Sequence, residues 1–161
     1  MKKSSTIFLQ IVIVAFGIGV LAFLLWAPHL EGRNMNASLF EIYFKDPFLA
    51  FVYAGSIPFF VGLYQAIILL GYVRQNQIFS QAAVKALRTI KYCAYIVAGE
   101  IVATDAYLMI AAQSNGEDTA GAVMLGIIAA FASIIIGTAA AVFERLVQNA
   151  VDIKSENDLT V

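Results

Sequence analysis

Three runs of this chain, Ser4–Pro28, Pro47–Val73 and Thr119–Phe143, contain no charged residue. A fourth, Tyr92–Ala112, is just as apolar but holds Glu100 and Asp105. The hydrocarbon core of a bilayer is about 30 Å thick, and a helix crosses it with about 20 apolar residues. A helix also satisfies its own backbone hydrogen bonds there, where no water is available. The pattern predicts an all-α integral membrane four-helix bundle, one domain over residues 1–161, with spans at about 6–28, 47–73, 92–112 and 120–143.

Composition agrees. Hydrophobic residues make up 61% of the chain and charged residues 13%, against roughly half and a quarter in soluble domains. The spans use most of the 161 residues, which leaves no room for a separate soluble domain. A net charge of -1 lacks the basic excess of nucleic-acid readers, so no direct nucleic-acid contact is expected. Cys93 is the single cysteine and His29 the single histidine. An internal disulfide is therefore excluded, and neither a histidine-rich metal site nor a cofactor is expected. Lys2 and Lys3 before an apolar run resemble a signal peptide. The run is too long for a signal core of about 7–15 residues and no Ala-x-Ala site follows, so a retained first span is expected.

Basic residues set the expected topology. Lys2 and Lys3 precede the first span. Arg74, Lys85, Arg88 and Lys91 lie between the second and third, and Arg145 and Lys154 follow the fourth. Only Arg33 and Lys45 lie between the first and second. The positive-inside rule then puts both termini and the middle segment in the cytoplasm of a bacterial inner membrane. Leu39, Phe40, Ile42, Tyr43 and Phe44 of the first outer loop are expected at headgroup level. The triplet Asn36-Ala37-Ser38 there is a chance match to a glycosylation acceptor. Asn115-Gly116 signals a tight turn between the last two spans.

The middle segment is predicted to be helical. Ser80 can cap a helix in which Val84, Leu87 and Ile90 form one face and Lys85, Arg88 and Lys91 another. Segment 80–91 is thus an amphipathic helix running into the third span. Its basic face either anchors on anionic lipid or docks a cytoplasmic protein. In the tail, 144–161, the spacing of Phe143, Leu146, Val147, Ala150 and Val151 extends the fourth helix into the cytoplasm to about Ile153. A short polar end follows.

Acids within a membrane are costly and normally face a partner, a cavity or a pathway. Glu100 and Asp105 are five residues apart, which places them roughly 140° apart around a helix, so they do not form one bidentate site. Counting from the inner ends of the spans, Glu100 falls level with Gln65 and Tyr64. A hydrogen bond across that hairpin is expected, with proton or cation handling as the alternative role. Pro58 removes one backbone bond and predicts a kink in the second span, with Gly55 and Gly62 easing close helix approach. Ala129, Ala130, Ser133, Gly137 and Thr138 suggest tight packing, either within the bundle or in a homo-oligomer. No phosphate loop, nucleophile elbow or zinc-protease motif is present, so enzymatic activity is not expected.

Three segments together resemble a known family. They are Ile57-Pro58-Phe59-Phe60 with Leu63-Tyr64-Gln65-Ala66, Phe79-Ser80 through Val84-Lys85-Ala86-Leu87 to Ile90-Lys91-Tyr92-Cys93, and the tail Ile153-Lys154-Ser155-Glu156-Asn157-Asp158-Leu159-Thr160-Val161. The chain resembles the YoaS-like bacterial membrane proteins, number 2975 among the domains of unknown function, over essentially its whole length. The resemblance implies four spans in the bacterial inner membrane and no catalytic residues to carry over. It also implies a genetic neighbour, a small helix-turn-helix regulator, as a partner. Glu100 and Asp105 fall outside the family's recognisable pattern. The reading favoured by these features is a regulatory membrane protein that binds such a regulator. The alternative is a small oligomeric transporter or channel using Glu100 and Asp105.

Overall fold

A computed structural model describes residues 3–30, 47–115 and 119–158. They form four α-helices: α1 Lys3–Leu30, α2 Pro47–Arg74, α3 Gln81–Asn115 and α4 Ala120–Asp158. The sequence accounts for the reversal between α2 and α3. Asn76 takes a left-handed backbone conformation (φ 57°), which asparagine tolerates better than most residues. The Gln77 amide then bonds the Tyr72 carbonyl at 2.8 Å, and the Asn76 amide bonds that of Val73 at 3.2 Å. This pairing closes a helix C-terminus in a Schellman motif. Four residues later Ser80 opens α3: its Oγ accepts from the Ala83 amide at 3.3 Å, as an N-cap does.

All four helices are long and apolar enough to cross a membrane. At 1.5 Å per residue, the 28 residues of α1 and of α2 extend about 42 Å and the 39 of α4 about 58 Å. The helices pack chiefly in chain order, α1 on α2, α2 on α3 and, most extensively, α3 on α4. Each pair is antiparallel. Gln10 Nε2 donates to the Ile67 carbonyl at 3.1 Å, and Tyr53 Oη donates to that of Leu24 at 2.6 Å. Gly62 faces Cys93 and Gly137 faces the Tyr95 ring. The start of α1, the turn at 75–80 and the end of α4 therefore share one end of the molecule.

The α3–α4 interface follows from one stripe. Gly126, Ala130, Ser133, Gly137, Ala140, Glu144, Val147 and Val151 recur at spacings of four and three and are among the less exposed positions of α4. Small side chains along most of this stripe let the helix axes approach. Of the small residues expected to pack, Ala130 and Gly137 are buried, whereas Ala129 and Thr138 are exposed. At the end that carries the turn, Ala83, Val84, Leu87 and Val147 form a buried cluster with Leu69, Tyr72 and Val151 against it. The amphipathic segment 80–91 is thus the opening of α3, and its apolar face is buried on α2 and α4 instead of lying on lipid.

The end of α4 also departs from expectation. The helix continues past Ile153 to Asp158. Gln148 Nε2 donates to Asp152 Oδ1 at 2.7 Å, a one-turn pair of the kind that stabilises exposed helices. The first outer loop with its aromatics and the Asn36 triplet lies outside the described residues, as does Gly116 of the expected turn.

Candidate functional site

The two acids of α3 each meet a glycine, on opposite neighbours. Glu100 lies against Gly55 of α2, where an added methyl would fall on its carboxyl group. Asp105 is 8% exposed and lies against Gly126 of α4 in the same way. Its Oδ2 is buried without a hydrogen-bond partner among the described residues. The separation of the two acids around α3 therefore assigns them to different interfaces. No group of three or more metal-ligating side chains occurs among the described residues.

The expected pairing of Glu100 with Gln65 or Tyr64 is not the one formed. Pairing Val73 with Tyr92 as the inner ends of two spans had placed Gln65 beside Glu100. The register follows instead from Gly62 opposite Cys93. Eleven residues on from Gly62 is Val73, and eleven back from Cys93 is Ala82. Because α3 begins directly after a short turn, Val73 is level with Ala82. Glu100 consequently lies ten residues further along α2, at Gly55. Tyr64 is 61% exposed and Gln65 is partly exposed.

Pro58 sits inside an α2 that runs through it as one helix. With Phe16, Phe59, Gly62, Cys93 and Val97 it lines an apolar cleft of about 270 Å³. The Phe16 and Phe59 rings meet edge to face there, 6.0 Å between centroids, a favoured aromatic geometry.

The strongest polar constellation lies near the turn end. Glu144 of α4 accepts from Arg88 Nε through Oε1 at 2.7 Å and from Lys91 Nζ through Oε2 at 2.6 Å. The Glu144 side chain is 10% exposed, Lys91 19% and Arg88 55%. Lys91 also stands 4.7 Å over the Tyr92 ring centre, a cation–π distance. Of the predicted basic face, Arg88 and Lys91 converge on one carboxylate, while Lys85 stays exposed in no such pair. Sequence reasoning passed over Glu144. The signal was available: three cations one turn apart on α3 lacked an acid, and Glu144 is the first charge after the apolar run Thr119–Phe143.

The family profile described as "Protein of unknown function (DUF2975)" matches residues 33–161. The chain belongs to this family. Over its full length it is also 40% identical to the full length of a protein described as "Uncharacterized membrane protein YoaS" from Bacillus subtilis (strain 168). No solved structure matches it. Four apolar helices and a membrane-protein relative together make this DUF2975 member a multi-pass membrane protein.

Proposed function

We propose that this DUF2975 protein is a regulatory component of a bacterial inner membrane that holds a small cytoplasmic helix-turn-helix regulator on the end of α4. In this reading the end with the 75–80 turn faces the cytoplasm, together with the start of α1 and the end of α4. The observation that carries it is the length of α4. Its 39 residues are nearly twice the roughly 20 needed for a core of about 30 Å, and the excess lies at the end richest in lysine and arginine.

That excess has the character of a docking helix. Tyr95 opposite Gly137 and Arg88 on Glu144 set the α3–α4 register, in which the first residue of α3, Gln81, is level with about Val151. The turns beyond Val151 therefore project past the start of α3. Ile153 is 62% exposed there among polar neighbours, and an amphipathic helix end is a common anchor for a partner groove. The alternative of a small oligomeric transporter or channel has in its favour the unpartnered Asp105. Against it, Glu100 and Asp105 meet different neighbours and do not line one path.

The test is a cross-linked pull-down from native membranes, comparing the full chain with one truncated after Asp152, which retains Val151 and the packed cluster. The regulator is expected to move to the soluble fraction on truncation. Equal recovery with both chains rejects the reading.

A further inference from the structure

We infer that the outer face of the first turns of α3 is a binding site for the phosphate headgroup of an anionic phospholipid. Gln81, Val84, Lys85, Arg88, Thr89 and Tyr92 line a groove of about 450 Å³. The charges beside it do not balance. Lys85, Arg88 and Lys91 bring three positive charges, and the carboxylate that Arg88 and Lys91 share, Glu144, is one negative charge. Arg88 spends only Nε on Glu144, which leaves the outer nitrogens of its half-exposed guanidinium available to another acceptor. Such a planar fork suits a phosphate, and Lys85 adds a point charge one turn away. The Tyr92 hydroxyl supplies a further donor, whereas that of Thr89 donates to the Lys85 carbonyl at 3.0 Å.

Depth and continuity decide the occupant. Lys85 lies eight residues back from Cys93 and is level with Leu70, eight on from Gly62. Through the Gln10–Ile67 bond, Leu70 is level with Ile7, near the start of the exposed apolar surface of α1. The groove thus lies where the apolar surface of the molecule begins, at headgroup height. On the same side of α3, seven and eleven residues on from Lys85, Tyr92 and Ile96 continue as an exposed apolar track. A soluble phosphate or an acidic peptide would use the cations and leave this apolar track unused. A phospholipid uses both, with phosphate in the groove and acyl chains along the track. The site does not depend on the proposed regulator, because it lies on α3 and not on the projecting end of α4.

The test is native mass spectrometry of the full chain in mixed micelles holding equal phosphatidylglycerol and phosphatidylcholine. One phosphatidylglycerol per chain is expected to be retained preferentially. Lys85→Ala is expected to weaken that retention about fivefold, the effect of one cation on an anionic lipid, and Lys154→Ala, which removes an equal charge elsewhere, to leave it unchanged. Since Arg88 also holds Glu144, Arg88→Lys serves as the second variant, keeping the charge but not the fork, and is expected to weaken retention with the fold intact by circular dichroism. Equal retention of both lipids overturns the proposal, as does equal loss in Lys85→Ala and Lys154→Ala. Displacement of the lipid by millimolar inorganic phosphate assigns the groove to a free anion, and unchanged lipid retention with loss of a co-purifying protein assigns it to a protein partner. Each of these overturns it too.

Discussion

A methyl group on Gly126 would collide with the Asp105 carboxyl, and one on Gly55 would collide with that of Glu100. The two collisions differ in cost because the acids differ in reach. Glu100 has an additional torsion and is partly exposed, so its carboxyl can swing aside. Asp105 is short and buried, and its displacement must move backbone. Gly126→Ala is accordingly expected to lower stability in detergent by about 1–3 kcal/mol, the usual range for overpacking, and Gly55→Ala by clearly less. In a double-mutant cycle of thermal melts, Asp105→Ala should recover much of the Gly126→Ala loss. Purely additive effects would show that the carboxyl does not rest on Gly126. The acids were legible in the sequence as the only charges in the apolar runs, and their helical phase separated them. Their seats were not, because a glycine in a membrane helix looks the same whether it admits a carboxyl, a tyrosine ring or nothing. Gly126 meets Asp105, Gly137 meets Tyr95, and Gly99 meets nothing; only the register distinguishes them.

Register between helices is set at turns, and the decisive turn here joins α2 to α3. Its geometry needs a left-handed residue at position 76, where asparagine is tolerated and glycine is unstrained. Asn76→Gly is expected to hold or raise stability by up to about 1 kcal/mol, whereas Asn76→Val should lower it, a β-branched residue being poorly suited to positive φ. Ser80→Ala removes the cap and should cost about 1 kcal/mol. Melting of the three variants in one detergent checks the order Asn76→Gly, wild type, Ser80→Ala; a more stable Asn76→Val variant would contradict the left-handed turn. Reading Ser80 as a cap and 80–91 as helical came directly from residue spacing. Where that segment's apolar face goes did not, because a basic amphipathic stretch beside a span fits a lipid surface and a protein groove equally well by periodicity. Packing chose the protein: Val84 and Leu87 are 2% and 6% exposed. That choice moved the level of every residue on α3 by ten positions along α2, and with it the neighbour of Glu100.

At the scale of the whole molecule, antiparallel packing of four successive helices forces the start of α1 and the end of α4 to one side, whichever way the protein sits in its membrane. Charge is the ground on which the cytoplasmic side is proposed. The turn end gathers Lys3, Arg74, Lys85, Arg88, Lys91, Arg145 and Lys154, and translocating that cluster would run against the positive-inside bias. The orientation can be measured with single cysteines. Cys93 is buried against Gly62 and can be replaced by alanine at little cost in volume, giving a background without thiols. In that background Thr119→Cys marks the opposite end, and Ser5→Cys and Asn157→Cys mark the turn end. A membrane-impermeant maleimide added to intact cells is expected to label Thr119→Cys alone, with Ser5→Cys and Asn157→Cys labelled only after lysis. The reverse pattern would turn the molecule over and remove the cytoplasmic docking of α4, while leaving the lipid groove on α3 in the other leaflet. Labelling of Ser5→Cys and Asn157→Cys from opposite sides would require an odd number of crossings, which four antiparallel spanning helices do not allow.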